Sequence, residues 1–580
     1  MKIHYTIAMP APHTHYFEVS MAVSDINQPF VDFKIAAWTP GSYLLREYAQ
    51  HVVSYWARAG RKKTKVFKTA KNTWRVLSDG ASKITFGYRV YAFDMTVRTN
   101  FLDSNHGYIN PAALCMFVAG QQQTAATLTV QPYETWEKVT VPLPPVQSKK
   151  AFTYQVPDFD TLVDSPIEIG NHRVFSFEAA NVPHHVAWYG LSKFDETQLK
   201  QDFASIVEAC NDIFQEHPCQ TYLTKDYTFI VHLLDKKFGG LEHLNSTSLH
   251  FPRETFHTKK GYARFLNLTA HEYFHLWNVK RIRPIELGPF DYERENYTRS
   301  LWVAEGFTVY YENIILRKAG LIKEGKFRKG IAETITRVEN TPGNQMQPVT
   351  DASWDAWIKA YRPNENSPNT TISFYSKGAL IALMLDLRII YETQAQKNLD
   401  DVMRYLYQAY YQEKQRGFSE DEIKQAVEKV AGKDLGSFFE KYIYGTQTLP
   451  YAQYLARVGV KLKTTTEAKP HLGISTVRMG KKLRITKVQK DTPAYHTGLN
   501  VHDEIVKVDD QKPKDLAKIL EEKAPGDQIK VEICRDGNVK KFLVVLEENP
   551  HTTYKLTMEK NCTEKQKNAY RKWLRKEKHK

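Results

Sequence analysis

The sequence predicts a multidomain α+β protein in which a β region, a mainly helical region and a second β region follow one another. Residues 1–190 hold short β-forming stretches separated by turn residues, such as 16–23 and 84–93. From 191 to 455 the apolar residues mostly recur at helical spacing, and this spacing fades after Pro450. A length of 580 residues is enough for about three or four domains.

The helical region contains recognisable start and stop signals. Residues 419–422, Ser-Glu-Asp-Glu, form a capping box that predicts a helix over 423–431, which Gly432 ends. Residues 377–391 are strongly apolar and predict a buried helix. One strand-like run, 227–234, stands early in the region and is the candidate for an edge strand that binds an extended peptide through its backbone.

The composition is that of a folded chain without a membrane span. Hydrophobic residues make up 42% and aromatic residues 12%, as is typical of globular rather than disordered chains. The sequence has no run of about eighteen apolar residues, and its first residues lack the apolar core of a secretory signal. The cysteines are five and widely spaced, which favours reduced thiols and predicts a cytoplasmic location: Cys115, Cys210, Cys219, Cys534 and Cys562.

The formal charge of +15 raises the question of a nucleic-acid partner. Much of the excess lies in residues 560–580, and the sequence shows no nucleic-acid module and no Gly-rich phosphate loop, so we expect no such partner. Tyr570, Trp573 and Leu574 fall at helical spacing. The end of the chain is therefore either a short helix that docks one apolar stripe or a solvated basic terminus.

Residues 271–275 read His-Glu-Tyr-Phe-His and are the most informative segment of the chain. The sequence has no Gly or Pro between Gly261 and this segment, and its apolar residues there predict a helix. On a helix, His271 and His275 lie one turn apart on the same face, so both imidazoles can bind one zinc ion. Glu272 projects about 100° away from that face and is placed as a general base rather than a ligand.

A catalytic zinc ion usually has three protein ligands and one open position. The best third ligand is Glu305, in a segment, 301–310, that opens a second predicted helix continuing to residue 316. Two His and one Glu would then hold one zinc ion per chain. Bound zinc lowers the pKa of water from ~15.7 to about 7, which makes hydroxide available at neutral pH. Glu312 is a candidate to orient one of the His ligands.

These residues resemble the gluzincin metallopeptidases, the group of thermolysin and aminopeptidase N. Residues 239–243, Gly-Gly-Leu-Glu-His, resemble the Gly-x-Met-Glu-Asn segment of aminopeptidase N, and residues 374–378, Phe-Tyr-Ser-Lys-Gly, resemble its Tyr-x-Lys-Gly segment. Together with Trp-Thr-Pro-Gly-Ser-Tyr at 38–43 and a PDZ-like C-terminal region, they resemble the glycyl-aminopeptidase family. The chain departs from aminopeptidase N in an insert over 280–299 and in having His243 where that enzyme has Asn.

The resemblance implies an order of domains. Residues 1–190 would form an all-β saddle or sandwich domain, 191–455 a thermolysin-like, mainly helical catalytic domain, 465–550 a PDZ-like domain and 551–580 a basic tail. In the PDZ-like region, His502 replaces the usual Gly. That domain either grips a peptide C-terminus or only packs on the catalytic domain.

The resemblance also implies roles for individual residues. Glu242 would bind the substrate's α-ammonium, and Gly239 and Gly240 would let the substrate backbone approach closely. Tyr375 would donate a hydrogen bond to the developing oxyanion. The loop 38–43 either lines the cleft or is a packed turn. The basic cluster, Lys280, Arg281 and Arg283, either binds a peptide carboxylate or stabilises the end of the preceding helix.

The predicted function is that of a zinc aminopeptidase that acts on peptides, and the family resemblance implies a preference for small N-terminal residues such as Gly or Ala. Two alternatives stay open. A zinc endopeptidase would use the same site but would cleave N-blocked peptides and depend little on Glu242. A PDZ-based peptide-binding adaptor with a vestigial metal site would not depend on Glu272.

Overall fold

The computed structural model describes residues 1–147, 151–191, 193–480, 482–513 and 516–575. The last five residues of the basic tail therefore lie outside the described part. By their internal contacts the described residues form two compact units. The first comprises Met1–Tyr297, Tyr311–Leu321 and Met403–Ser419, and the second comprises Thr298–Tyr310, Ile322–Val402 and Glu420–Lys580.

The first unit begins with β structure, as the sequence predicts. The strands are β1 Lys2–Ala8, β2 Tyr16–Ser24, β3 Phe30–Ile35, β4 Val52–Ala59, β5 Lys62–Lys63, β6 Val66–Ala70, β7 Thr73–Leu77, β8 Lys83–Tyr91, β9 Phe101–Leu102, β10 His106–Ile109, β11 Met116–Val118, β12 Ala126–Gln131, β13 Lys138–Thr140, β14 Thr153–Val156 and β15 Ile167–Gly170. A short helix, α1, spans Phe159–Val163. Short 3-10 helices occur at Pro12–Thr14, Tyr48–His51 and Pro111–Ala113.

Among the described residues these strands form a seven-stranded sheet, in the order β14-β12-β1-β2-β8-β4-β5, and two four-stranded sheets, β11-β3-β7-β6 and β13-β15-β10-β9. Buried side chains alternate with partly or fully exposed ones along β1 and β2, the pattern of strands with one face on a core. Buried residues of the seven-stranded sheet and of β3, β7 and β11 belong to one hydrophobic cluster. The sandwich-type β domain of the prediction is thus confirmed.

The helix that carries the paired histidines packs beside a mixed sheet of the first unit. Its strands are β16 Arg173–Ala179, β17 Val182–Tyr189, β18 Tyr227–Leu234, β19 Gly239–Glu242 and β20 Ser246–Pro252, in the order β16-β17-β18-β20-β19. Its helices are α2 Glu196–Phe214, α3 Arg253–Phe256 and α4 Lys259–Phe274, with a 3-10 helix at Pro218–Gln220.

The edge of this sheet is not the strand that the sequence suggested. Residues 227–234 form β18, which pairs in parallel with β17 on one side and β20 on the other, so the edges of the sheet are β16 and the short strand β19. Nearly every residue of β18 is buried, which is typical of a central strand covered on both faces. Of these two edge strands, β19 packs against the helix that carries the paired histidines.

A run of helices follows, as the helical spacing predicts. They are α5 Leu301–Ala304, α6 Gly306–Lys318, α7 Glu324–Glu339, α8 Val349–Trp354, α9 Ser367–Thr370, α10 Phe374–Glu392, α11 Leu399–Leu406, α12 Glu420–Ala431, α13 Gly436–Tyr442 and α14 Tyr451–Ala456. A π-helical segment spans Tyr407–Glu413, and 3-10 helices span Ile285–Leu287, Pro342–Gln345 and Asp355–Trp357. The helices predicted over 377–391 and 423–431 are confirmed as α10 and α12.

The C-terminal part of the second unit returns to β structure. Its elements are β21 Val460–Thr466, β22 Pro470–His471, β23 Ile474–Met479, β24 Lys482–Val488, α15 Pro493–Thr497, β25 Glu504–Val508, α16 Leu516–Glu521, β26 Gln528–Arg535, β27 Asn538–Val545, β28 Glu547–Glu548, β29 Thr552–Met558 and α17 Glu564–Trp573. Strands β23 to β27 form one sheet over a core of their own. His502 has φ of 78°, a conformation that favours Gly and explains the usual residue there.

The PDZ-like region and the end of the chain both pack on other parts of the second unit. The Asn369 side chain bonds Val488 O and Lys490 N, both at 2.9 Å, so the PDZ-like region packs on the helices of its unit. Peptide binding by that region stays a prediction. The end of the chain forms helix α17 with Tyr570, Trp573 and Leu574 buried, which is the docked-helix alternative.

Across the described residues, no helix combines the length and the apolar character needed to cross a membrane. The five cysteines all lie in that part of the chain and are free thiols.

Candidate metal centre and peptide site

The paired histidines lie at the end of helix α4. The Thr258 side chain caps the helix by accepting a hydrogen bond from Gly261 N, a common device for starting a helix. The Nε2 atoms of His271 and His275 face each other at 3.1 Å. The helix thus brings the two predicted ligands together, with His275 buried and His271 partly exposed.

The ring nitrogens fit a bound cation. His271 Nδ1 lies 3.0 Å from Glu312 Oε2, and His275 Nδ1 lies 2.6 Å from Asn278 O. These oxygens only accept hydrogen bonds, so each Nδ1 is the protonated nitrogen and each neutral ring turns an Nε2 lone pair toward the other. Two lone pairs at this separation repel each other, and a metal ion between them resolves the conflict. Glu312 contacts the His271 ring, as a carboxylate that orients a histidine ligand would.

A buried hydrogen-bond chain fixes the rotation of the helix. The Tyr273 hydroxyl lies 2.8 Å from His184 Nε2 and 2.6 Å from His217 Nε2. His184 Nδ1 donates to Val182 O, and His217 Nδ1 accepts from Cys219 N. The proton positions follow: His217 donates to the Tyr273 oxygen, and Tyr273 donates to His184. No sequence pattern marks these residues, because they are far apart along the polypeptide.

Two carboxylates accompany the histidines. Glu242 and Glu272 are 4% and 5% exposed. One ligand atom each of Glu242, Glu272 and His275 lie within 4.8 Å of one another. Glu242 ends the edge strand β19, and Gly240 of that strand is pressed against the helix, since a Cβ at Gly240 would lie 2.1 Å from Glu272 Oε1. The predicted base and the predicted amine-binding residue therefore adjoin His275, one of the predicted metal ligands.

Asp164 secures the segment that follows Glu242. Its carboxylate lies 3.0 Å from His243 Nδ1 and accepts from Leu244 N at 2.7 Å and from Lys280 Nζ at 2.8 Å. Burial opposes ionisation of Asp164, but Lys280 and His243 hold its pKa below the usual value. His243, which departs from the aminopeptidase N pattern, is thus an anchor. Lys280 is paired with Asp164 rather than with a helix end.

Two predicted residues belong to the second unit. Glu305 lies between α5 and α6 and is 3% exposed. A Cβ at Gly306 would lie 2.5 Å from the Cα of Gly378, so the glycines of the two motif segments let the start of α6 and helix α10 pack directly. Tyr375, on the first turn of α10, has its hydroxyl 3.2 Å from the Tyr361 hydroxyl. Both motifs therefore meet at one helix crossing.

Comparison with known families gives three matches along the chain. The profile of the peptidase M61 N-terminal domain matches residues 4–171, that of M61 glycyl aminopeptidase matches residues 264–381, and that of the PDZ domain matches residues 470–546. A search of proteins with curated functions gave no match.

Among solved structures, an aminopeptidase N family protein from Idiomarina loihiensis is similar over 99% of this chain and 100% of its own, with 29% identity and a TM-score of 0.91. An M1 zinc metallopeptidase from Deinococcus radiodurans is similar over 78% of this chain and 95% of its own, with 12% identity and a TM-score of 0.49.

The histidine pair, the adjoining carboxylates and the family matches define a metallo-aminopeptidase. Residues 4–171 and 264–381 are similar to the two domains of the M61 glycyl aminopeptidases, and residues 470–546 are similar to a PDZ domain.

Proposed function

We propose that the protein is a zinc-dependent aminopeptidase that releases small N-terminal residues from peptides. The observation that carries this proposal is the position of Glu242, whose carboxylate adjoins both Glu272 and His275. A carboxylate at that distance can bind the α-ammonium of a peptide whose first carbonyl group faces the metal ligands. The scissile bond would then be the one that follows the first residue of the peptide.

The proposed zinc ligands are His271, His275 and Glu305. The first two are supported by their facing Nε2 atoms. For Glu305 the support is spacing, since it precedes Glu312 by seven residues, nearly two helical turns, and such spacing places both on one helix face. Glu312 already orients His271. One zinc ion per chain fits this set of two imidazoles and one carboxylate.

In this mechanism Glu272 moves the proton. A zinc ion held by these residues would act as a Lewis acid that polarises the scissile carbonyl group and lowers the pKa of water. Glu272 accepts the proton of the attacking water and returns it to the leaving amine. Glu242 holds the α-ammonium, and Tyr375 donates a hydrogen bond to the developing oxyanion.

The edge strand supplies the backbone contacts. Strand β19 pairs only through β20 within its sheet, so its other side can bind an extended substrate. Gly240 brings that strand against Glu272, and Gly239 has φ of 151°, outside the usual range for other residues. The preference for Gly or Ala is proposed from the family. A cytoplasmic location is also part of the proposal and is supported by the free thiols.

The test is hydrolysis of glycine and alanine chromogenic amides, free and N-acetylated, with and without a chelator. We expect turnover of the free amines alone, lost with chelator and restored by zinc. Glu242→Gln should raise KM for free amines at least about tenfold, because an amide replaces the carboxylate that binds the ammonium. Glu254→Gln, an exposed carboxylate on α3, is the matched control.

The two alternative functions, endopeptidase and peptide-binding adaptor, predict different results in this test. Cleavage of N-acetylated peptides with no effect of Glu242→Gln would indicate an endopeptidase. Absence of any hydrolysis by zinc-loaded protein, together with peptide binding that survives Glu272→Gln, would indicate an adaptor.

A further inference from the structure

A cavity of about 80 Å³ adjoins the Glu242 carboxylate in the first unit. One side of it is aromatic, with Trp38, Tyr43 and Phe290 among the lining residues. The other side is charged and comprises Asp160, Asp164, Lys280 and Arg283. Of these four ionisable groups Asp164 is buried and the other three are partly buried, which is unusual for an ordinary packing gap, because charges withdrawn from water are costly unless something compensates them.

The loop 38–43 closes this cavity over Glu242. Gly41 has φ of 84°, and a Cβ there would lie 2.7 Å from Glu242 Oε1 and 2.8 Å from Oε2. Trp38 is fully buried and donates from Nε1 to Asp291 O at 2.8 Å. The loop therefore lies directly on the carboxylate and fixes one side of the cavity. Of the two alternatives for this loop, the structure favours the one that lines the site.

The four charged groups are not equally satisfied. Lys280 is paired with Asp164, and Asp160 accepts a hydrogen bond from the Tyr292 hydroxyl. The Arg283 guanidinium, by contrast, makes no hydrogen bond or ion pair through its side chain within the described part of the chain. Burial raises the pKa of Asp160 and lowers the pKa of Arg283. Both groups are thus poorly solvated. The N–H donors of Arg283 and a carboxylate oxygen of Asp160 are available to a ligand.

We propose that this cavity receives the side chain of the substrate's N-terminal residue and favours a small hydroxyl side chain, Ser or Thr, over an apolar one of the same size. The inference rests on the proposed aminopeptidase function, in which Glu242 holds the ammonium and so brings the first side chain to the cavity mouth. A hydroxyl group can donate to Asp160 and accept from Arg283. A methyl group there would displace water from both charges and replace none of its hydrogen bonds.

The volume limits the size of that side chain. The cavity is about half of the ~150 Å³ of an apolar protein cavity that binds benzene. It therefore accommodates roughly three side-chain heavy atoms, enough for Ser or Thr but too few for Leu or Phe. Size alone would not separate Thr from Val, since the two are isosteric, so this pair isolates the contribution of polarity.

The test compares kcat/KM for threonine and valine amides, and for serine and 2-aminobutyrate amides, on the zinc-loaded full-length protein. We expect each hydroxyl substrate to be favoured about tenfold over its isostere. Arg283→Met should reduce both ratios to about one, because the aliphatic volume stays while the donors are lost. Arg61→Met, an exposed arginine between β4 and β5, should leave both ratios unchanged. Asp160→Asn, which replaces the charged acceptor by a weaker neutral one, is the second variant and should lower the ratios if Arg283→Met does not fold.

A readout independent of turnover is the affinity of threoninamide and valinamide for the Glu272→Gln protein, measured by calorimetry, where threoninamide should bind about tenfold more tightly. Equal or better use of valine by the unmodified protein would overturn the inference, and so would a threonine preference that persists in both Arg283→Met and Asp160→Asn. Failure of the proposed function looks different: no free-amine substrate of any kind would be hydrolysed, and the inference would fall with it.

Discussion

Glu272 is the residue whose role depends most on its immediate contacts. It adjoins Glu242 and His275 and faces the Gly240 backbone, so it has little freedom to leave the site. We predict that Glu272→Gln lowers kcat by about 10²–10⁴-fold, because the amide fills the same space but cannot accept a proton. Steady-state hydrolysis of a glycine amide measures this, with zinc content determined in parallel. Unchanged kcat at full zinc content would contradict the assignment.

The contact of Gly41 with Glu242 can be tested with a matched control, because Gly60 has a similar backbone conformation without that contact. Gly41→Ala places a methyl group against the Glu242 carboxylate, at a φ of 84° that Ala adopts with strain. We predict that it lowers kcat/KM for free-amine substrates at least about tenfold, chiefly through KM, since the amine-binding group must move.

Gly60→Ala is the control for that substitution. Gly60 also has a positive φ, 59°, but a Cβ there would have nothing within 4 Å. Both variants should lose about 1 kcal/mol of stability from backbone strain. Equal activity of the two variants would show that the contact between loop 38–43 and Glu242 has no catalytic consequence.

The sequence identifies the motif residues, but it does not identify the residues whose hydrogen bonds keep the motif residues in place. His271, His275 and Glu272 are recognisable because their spacing of one helical turn is visible in the sequence. Asp164 and Tyr273 are not, because their partners are more than fifty positions away and a lone Asp or Tyr has no distinctive spacing. Asp164 contacts residues 243, 244 and 280 only after the chain has folded.

At the scale of elements, strand β18 and strand β19 show why the edge of the sheet was misplaced. The eight residues of β18 are apolar enough to be recognised as a strand, but they indicate burial on both faces and so a central position. The edge strand β19 has four residues, two of them glycines. Propensity alone could not predict it as a strand, because Gly is disfavoured in strands and its presence here reflects the close approach of Glu272.

Two buried histidines, His184 and His217, contact Tyr273 of helix α4 and should make the stability of the fold sensitive to acid. Burial lowers the pKa of His184 to about 4 and that of His217 to about 3. Both values lie below about 6.5, the pKa of an unfolded histidine. The unfolded chain therefore binds more protons between these limits, so stability is lost as the pH falls from about 6.5 toward 4.

We predict that His184 alone contributes about 3 kcal/mol to this loss. Urea unfolding at several pH values between 4 and 7, on the unmodified protein and on His184→Gln, measures the difference in slope. The variant starts less stable, because Tyr273 loses an acceptor, but its stability should depend less on pH. His257→Gln, an exposed histidine, should keep the original slope, and an unchanged slope in His184→Gln would contradict the prediction.

At the scale of the whole molecule, the net charge is +15, and at least one of the basic side chains that contribute to it is buried in ion pairs. Arg575, just beyond helix α17, bonds Asp386 at 2.6 Å and Asp400 at 2.7 Å, and its side chain is only 5% exposed. Burial raises the pKa of Asp386, and Arg575 opposes that shift. Trp573 of the same segment donates to the Tyr310 hydroxyl at 3.0 Å. The basic composition of the C-terminal residues does not predict these buried partners.

We therefore predict that Arg575→Met destabilises the second unit by about 3–5 kcal/mol, because removing one member of a buried ion pair leaves the other charge uncompensated. Urea unfolding monitored by tryptophan fluorescence measures the loss. Arg571→Met, on the exposed face of α17, is the matched control and should change stability by less than about 0.5 kcal/mol. Adding Asp386→Asn to Arg575→Met should restore part of the loss, since the stranded charge is then removed. If Arg575→Met and Arg571→Met were equally stable, the end of the chain would be a solvated terminus after all.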